Sequence, residues 1–190
     1  MYKWFLGCIV IFILFLAGCN SSELDNREGP SDFDELANFE VLQPMDETKK
    51  GNFIFRLISE KEEYKEGEEV KLYGELEYVG RNEEVTITHS DPVIVFPLED
   101  KMRGFSTRFG RDDDASPTTL KQGEPYRQDY KTMFVYNPIE DSEEYLEFLE
   151  QLDEHFPAGY YVVNGQAIFN HGIFGNETVI KAQIDFKVVP

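Results

Sequence analysis

Apolar and polar side chains alternate one by one over many short stretches of the chain after residue 52. This alternation puts the apolar side chains on one face of a strand and the polar ones on the other. It is clearest over residues 69–78 and 180–188, which predict strands with one buried and one solvated face, as in an antiparallel sheet. Gly74 interrupts the apolar row and predicts a bulge or a close approach of another element. Weaker alternation predicts further strands at 53–58, 85–87, 93–96, 126–134 and 160–169.

Residues 160–169 permit two interpretations. Asn164-Gly165 is a strong signal for a two-residue hairpin turn. Against this, Tyr161 and Phe169 keep one parity through Gly165, which favours a single continuous strand. We expect one strand, with the hairpin as the alternative. Short strands separated by turn residues indicate an all-β antiparallel sandwich.

A different periodicity marks residues 141–155, which predict a helix. Apolar side chains recur there at helical spacing and form one apolar stripe; they are Tyr145, Leu146, Phe148, Leu149 and Leu152. Asp141 with Glu144 three residues later matches a capping box. Pro157 and Gly159 end the segment. We therefore expect one helix inserted between strands of the sandwich.

The amino-terminal residues differ from the rest of the chain. Lys3 precedes an almost wholly apolar run over residues 4–15, and this order is typical of an export signal. The run is shorter than the roughly 20 apolar residues that a spanning helix needs. The next four residues, Leu16-Ala17-Gly18-Cys19, resemble the lipobox of bacterial lipoproteins. The alternative is an uncleaved amino-terminal anchor.

The lipobox resemblance implies a specific processing and location. Residues 1–18 would be a signal peptide, and Cys19 would carry a diacylglyceryl group and fatty acyl chains such as palmitate. The resemblance places the mature protein at the outer face of the bacterial cytoplasmic membrane. Two or more acyl chains suffice for stable attachment where one is marginal.

Residues 19–51 are expected to form a flexible, acidic tether. Carboxylates repel one another along this segment, and Pro30 and Pro44 interrupt regular structure. The exceptions, which allow a short helical patch or docking on the domain, are Leu36, Phe39 and Leu42. The folded domain is expected to cover residues 52–190.

Charge and cysteine content narrow the classes of function. The chain has a net charge of −19, so nucleic acid phosphates and anionic lipid headgroups repel it. We therefore expect no nucleic-acid binding, and membrane contact through the lipid on Cys19. Of the two cysteines, Cys8 would leave with the signal peptide and Cys19 would be alkylated. The mature domain would then lack the thiols for a disulfide, redox chemistry or cysteine-bound zinc.

Short motifs carry a likeness at the level of the fold. Residues 64–72 are similar to the turn into the second strand of bacterial immunoglobulin-like domains, and residues 157–163 resemble the start of their penultimate strand. Residues 120–124 resemble a turn between the two. In this order the segment 52–190 resembles bacterial immunoglobulin-like modules, including the intracellular proteinase inhibitor family. The resemblance implies an immunoglobulin-like antiparallel β-sandwich with the helix at 141–155 as an insertion, and it transfers no functional residue.

The sequence contains no motif for a catalytic nucleophile, a metal site or a phosphate loop. The helix dipole favours His155 at the end of the predicted helix, which explains this residue structurally. The run Asp112-Asp113-Asp114 lacks the spacing of a calcium loop, so a solvated turn is favoured over a metal site. We expect no enzyme activity, metal or cofactor. The alternative is an envelope hydrolase or metal-dependent enzyme, which convergence of His89 or His171 with several acids in one pocket would indicate.

Cations concentrate in the loop of residues 101–111. Arginine and aromatic side chains together are enriched at protein interfaces. The residues predicted to contact a partner are Arg103, Phe105, Arg108, Phe109 and Arg111. The alternative is that these cations balance the run at 112–114 and other nearby carboxylates. The sequence therefore predicts a lipid-anchored binding or accessory module of the cell envelope, with a protein partner.

Overall fold

Most of the predicted strands form, together with several that the alternation did not mark. The computed structural model describes residues 35–172 and 176–190. The predicted signal peptide, Cys19 and the tether up to residue 34 lie outside the described residues. The elements are β1 Met45–Lys50, β2 Phe53–Ser59, β3 Glu63–Lys65, β4 Leu72–Tyr78, β5 Glu84–Ser90, β6 Ile94–Val95, β7 Leu98–Asp100, β8 Phe105–Ser106, β9 Ala115–Lys121, β10 Tyr126–Asp129, α1 Glu143–Glu154, β11 Gly159–His171 and β12 Glu177–Val189.

The strands form two sheets that face each other. Sheet A has the order β1-β2-β4-β10, and its neighbours are antiparallel. Sheet B has the order β3-β12-β11-β5-β9, in which only the pairing of β3 with β12 is parallel within the described residues, and β6 and β7 also pair with β11. The predicted all-β sandwich with one inserted helix is confirmed.

The core lies between the sheets and is formed by the inward-facing apolar side chains of both. Fully buried side chains come from β2 and β4 on one side and from β5, β11 and β12 on the other; they include Phe55, Leu57, Leu76, Ile87, Tyr161, Phe169 and Phe186. The Tyr161 hydroxyl donates to the Pro157 carbonyl at 2.6 Å, which fixes the entry into β11. A tyrosine that bonds back to the chain a few residues upstream is the tyrosine corner of immunoglobulin-like sandwiches.

Two glycines let the sheets approach each other. A Cβ at Gly74 on β4 would lie 2.9 Å from Cγ2 of Ile94 on β6, which confirms the close approach predicted there. A Cβ at Gly165 on β11 would lie 2.8 Å from two methyl carbons of Leu57. β11 is one continuous strand through Gly165, so the single-strand interpretation is confirmed and the hairpin alternative is wrong. Gly165 makes room for a side chain of the facing sheet and does not form a turn.

The helix forms where its periodicity predicts it, but its cap differs by one residue. Ser142, and not Asp141, is the N-cap, and its side-chain oxygen accepts from the Tyr145 N–H at 3.2 Å. The Asp141 carboxylate instead accepts from the Asn137 N–H at 2.6 Å. Within the described residues, no helix is both long and apolar enough to cross a membrane. The side chains that α1 buries are Tyr145, Phe148, Leu149 and Leu152.

The folded unit begins earlier than the predicted boundary at residue 52. Residues 45–50, assigned to the flexible tether, form β1 and pair along their whole length with β2. Leu36 is buried and the Phe39 ring stacks on Tyr160 at 4.6 Å, so the alternative of docking applies to these two residues. Leu42 does not dock, since it is 77% exposed.

Two further predictions need correction. The alternation predicts no strand between residues 97 and 125, but Ala115–Lys121 forms β9, a largely exposed edge strand in which Pro117 lies opposite Thr88 of β5. An edge strand tolerates proline and needs no apolar alternation, so the pattern did not mark it. The strand predicted at 126–134 is shorter, because β10 ends at Asp129.

Candidate functional site

Arg103 is tied to the fold, although 34% of its side chain is exposed to solvent. Its guanidinium donates to the Asp100 carboxylate at 2.5 Å and to the Ala158 carbonyl at 3.1 Å. The Asp100 side chain is fully buried and also accepts from the backbone N–H groups of Met102 and Arg103. Its charge is thus matched by a cation and by backbone donors, which is what a buried carboxylate requires. The guanidinium also lies over the Phe148 ring of α1, 5.8 Å from its centroid.

Arg108 connects the same loop to the start of α1. It forms an ion pair with Asp141, just before the helix, and its guanidinium lies 5.8 Å from the centroid of the Tyr145 ring. Its Nε donates to the Val135 carbonyl at 3.3 Å. The carboxylates that pair with the loop arginines are therefore Asp100 and Asp141, and not the run at 112–114.

The other three predicted contact residues also serve the fold. Phe105 packs on Tyr145 and Phe148 of α1, with ring centroids 5.5 and 5.3 Å apart. Phe109 packs on Phe134 at 6.0 Å. Arg111 donates to the Ile168 carbonyl of β11 at 3.2 Å. The structure thus gathers four of the five residues beside α1 and the segment before it, while Arg111 lies against β11. Their direct contact with a partner stays a prediction.

A groove lies between α1 and the segment of residues 130–136 that leads toward it from β10. We call it the apolar groove; it has a volume of about 440 Å³ and is lined by Thr132, Phe134, Tyr136, Leu146, Leu149, Glu150 and Asp153. Large apolar side chains are exposed in the same stretch of chain, among them Tyr136 at 57% and Ile139 at 92%, together with Met133 and Val135. Exposed apolar side chains beside a groove mark interaction surfaces.

A second groove shares Thr132 and Asp153 with the first. We call it the polar groove; it has a volume of about 560 Å³ and is lined by residues 67–70, 130–132 and 152–156. The Thr132 hydroxyl donates to the Asp153 carboxylate, and this hydrogen bond is common to both grooves. The two grooves together, the trough, follow the segment 130–136 along one side of α1. Sequence analysis missed the trough, although the apolar residues of 133–139 were a signal for it.

The helix that forms one wall of the trough carries unbalanced charge. Six acidic side chains project from it, and no lysine, arginine or histidine of the described residues forms an ion pair with them; they are Glu143, Glu144, Glu147, Glu150, Asp153 and Glu154. Glu150 lies three residues before Asp153 and four before Glu154, spacings at which like charges destabilise a helix. They also stand in its carboxyl-terminal half, where the helix dipole disfavours negative charge. The last turn contains no basic residue.

Beneath the trough lies a tyrosine without a polar partner. The Tyr130 ring packs against Phe96 and Phe156, with centroids 5.8 and 5.5 Å away. Its hydroxyl is buried and makes no hydrogen bond within the described residues. Burial, and after it the nearby Asp153 carboxylate, raises the pKa of Tyr130, so the hydroxyl stays neutral.

A second group of polar residues lies where the amino-terminal segment meets β12. We call residues 36–46 the strap. The Asp185 carboxylate accepts from the strap N–H groups of Leu42 at 2.9 Å and Gln43 at 2.7 Å, and from the Tyr160 hydroxyl at 2.5 Å. The sequence pattern puts Asp185 on the solvated face of its strand, but the strap covers it and leaves it 6% exposed. Burial, and after it the bond to Asp185, raises the pKa of Tyr160.

The rings of His89 and His171 make hydrogen bonds or ring contacts with neighbouring residues of the fold. The His89 ring bonds to the Thr118 hydroxyl at 2.8 Å and to the Ser90 carbonyl at 3.0 Å. The His171 ring packs on Phe53 at 5.0 Å. Within residues 35–172 and 176–190, no carboxylate bonds to either ring, so the hydrolase alternative gains no supporting geometry there.

The acidic run at 112–114 is exposed, and the Asp112 N–H donates to the Asp91 carbonyl at 3.0 Å. In the part of the chain that the structure describes, no group of three or more His, Cys, Asp or Glu side chains is placed to hold a metal ion. Comparison with known proteins finds no matching family model, no matching curated protein and no matching solved structure.

Proposed function

We propose that this chain is a lipid-anchored protein of the bacterial envelope that binds another protein through the trough. The observation that carries the binding role is the apolar groove, which is lined by the exposed Tyr136 and precedes the exposed Ile139 in the chain. The lipobox at Leu16-Ala17-Gly18-Cys19 supports the location, and the net charge of −19 argues against attachment to anionic lipid by charge. Binding in this position would hold the partner near the outer face of the cytoplasmic membrane.

The loop residues have a supporting part in this proposal. Arg103, Arg108 and Phe105 contact the helix or the residue before it, and so fix the wall of the trough from beneath. A rigid wall lowers the ordering cost of binding, because less side-chain freedom is lost when the partner arrives.

The two cysteines provide a matched test of the anchor. We expect Cys19→Ser to abolish incorporation of labelled palmitate and to leave the protein at its unprocessed size. Cys8→Ser, which changes only the apolar run, should be labelled and processed like the wild type. Palmitate labelling and gel mobility in whole cells measure both. Equal labelling of the two variants would refute lipidation at Cys19.

The binding surface can be tested with a photo-crosslinking amino acid in intact cells. Placed at Tyr136, in the apolar groove, it should yield one discrete crosslinked product. Placed at Thr86 of β5, which is exposed but lines neither groove, it should yield none. Leu146→Asp, which puts a charge on the groove wall, should remove the product from position 136. A product that survives Leu146→Asp, or no product at all, would count against the trough.

A further inference from the structure

The charge on α1 is locally unfavourable, and a ligand of opposite charge would relieve it. Glu150, Asp153 and Glu154 lie within a turn of each other in the carboxyl-terminal half of the helix. Their mutual repulsion and their position relative to the helix dipole both act against the helix. The carboxylates elsewhere on the polar groove differ, since Glu68 pairs with Lys61 and Glu69 pairs with Lys71.

The apolar groove lies directly beside these unpaired carboxylates. Glu150 and Asp153 line it together with Phe134, Leu146 and Leu149. A ligand that fills the groove therefore brings its neighbouring groups against the acidic side chains. Cations at that position meet negative potential, whereas anions are repelled.

We propose that the trough receives a partner segment in which a large apolar side chain is closely followed or preceded by lysine or arginine. The apolar side chain enters the apolar groove, and the cations face Glu150, Asp153 and Glu154. This assignment rests on the proposed function and adds the chemistry of the partner. It is a protein segment rather than a lipid surface, because anionic headgroups would meet the same carboxylates and be repelled.

The geometry sets the spacing of the two parts. Along the wall opposite α1, Phe134 lines the apolar groove and Tyr130 lines the polar groove. Four residues of extended chain cover about 13 Å. A partner segment lying alongside thus places its cations within about four residues of its apolar anchor.

The test uses the mature lipidated protein in phosphatidylcholine nanodiscs and a fluorescent nine-residue peptide. The peptide contains one phenylalanine and two lysines within four residues, with serine and glycine elsewhere. Fluorescence anisotropy should show binding that weakens at least tenfold when glutamates replace the lysines, and similarly when serine replaces the phenylalanine. Empty nanodiscs measure any background binding of the peptide to lipid.

Matched variants locate the binding. Glu150→Lys with Glu154→Lys should weaken the affinity at least tenfold. Glu83→Lys with Glu84→Lys, at an exposed turn into β5, makes the same change in net charge and should alter it less than twofold. Equal losses in the two pairs would overturn the proposal, since only net charge would then matter. Absence of peptide binding to the wild type would also overturn it.

These outcomes are separable from failure of the proposed function. A crosslinked product at Tyr136 that Leu146→Asp removes, combined with no binding of the cationic peptide, would keep the trough as an interface and reject this partner chemistry. Loss of both would reject the two together. The charge-reversed variants should unfold cooperatively in urea, which shows that a lost affinity does not come from lost structure.

Discussion

The strap and α1 are both additions to the sandwich, and they treat their charged groups in opposite ways. In the strap region, the Asp185 carboxylate accepts three hydrogen bonds and is hidden from solvent. On α1, three carboxylates crowd the last two turns, and only Asp153 has a hydrogen-bond donor among the described residues. In the strap region, the polar groups bind one another and stabilise the fold. Those of α1 are left available, next to exposed apolar side chains.

The two regions therefore differ in how far the fold explains their polar groups. A buried carboxylate that accepts hydrogen bonds from backbone N–H groups is explained by the fold, because leaving those N–H groups without an acceptor would cost free energy. Unpaired like charges on one face of a helix gain nothing for the fold. The wall of the trough therefore carries charges that are unfavourable for folding, and such local conflicts are common at functional sites.

The largest effect is expected from Asp185→Ala, which leaves the Leu42 and Gln43 N–H groups and the Tyr160 hydroxyl without their acceptor. We predict a loss of about 4 kcal/mol in the free energy of unfolding, since three bonds to a charged acceptor are lost and the Tyr160 hydroxyl is left buried without a partner. Urea denaturation measures it. Glu147→Ala, at an exposed position on α1, should change stability by less than about 0.5 kcal/mol. Similar values for the two variants would erase the contrast between the regions.

Alkaline pH acts on two buried tyrosines, Tyr130 beneath the trough and Tyr161 in the core. Burial raises the pKa of Tyr130 and of Tyr161, whereas in the unfolded chain a tyrosine ionises near its ordinary value of about 10. Their contribution is fully present below pH of about 10 and is lost as the pH rises above it, because only the unfolded chain then releases the protons. Each costs about 1.4 kcal/mol per pH unit, or about 3 kcal/mol for the two at pH 11. A melting temperature that stays level between pH 9 and pH 11 would contradict this.

Two tyrosine-to-phenylalanine variants compare the regions directly. Tyr160→Phe removes a hydrogen bond to a carboxylate in the strap region and should cost about 2 kcal/mol. Tyr130→Phe, beneath the trough, removes a buried hydroxyl that has no hydrogen-bond partner among the described residues, so stability should stay level or rise. Thermal unfolding of both variants under one condition measures the difference. Destabilisation by Tyr130→Phe would show that its hydroxyl has a partner in solution.

The smallest effect concerns the unpaired acids of α1. Glu150→Gln with Glu154→Gln removes like charges one turn apart and should stabilise the protein by about 0.5 kcal/mol. Adding 0.5 M salt to the wild type should shrink this gain, because the repulsion is screened at the surface. Urea denaturation at low and high salt tests it. A loss of stability would mean that these carboxylates have cationic partners within the molecule.

The sequence pattern was most informative where one face of an element is buried. β4, β12 and α1 carry clean periodicity, and together with β2 they form close to the predicted bounds. β1 and β9 were missed because they are edge strands whose side chains are mostly exposed, so neither needs an apolar face. Periodicity records burial against a core and is weak in a strand whose side chains are mostly exposed.

Docking of Leu36 and Phe39 was an open alternative from the sequence, but the polar contacts of the strap could not be predicted, since they join residues far apart in sequence. Asp185 follows the outward row of β12, and nothing near it in the sequence shows that residues 42 and 43 will cover it. The loop arginines were recognised as unusual, but their carboxylate partners Asp100 and Asp141 lie at the end of β7 and just before α1. Composition identifies such a cluster of cations, whereas only the tertiary structure shows which carboxylates the cations pair with.

The strap also determines how the domain responds to mechanical load. Tension applied at the amino-terminal side reaches Leu36 and Phe39 first, then the carboxylate of Asp185, and then the β1–β2 ladder. Because Asp185 lies on β12, part of the load reaches that strand at once, but we expect the ladders between the central strands to open only after these contacts fail. We therefore expect the strap to detach first under tension, while the core strands stay folded.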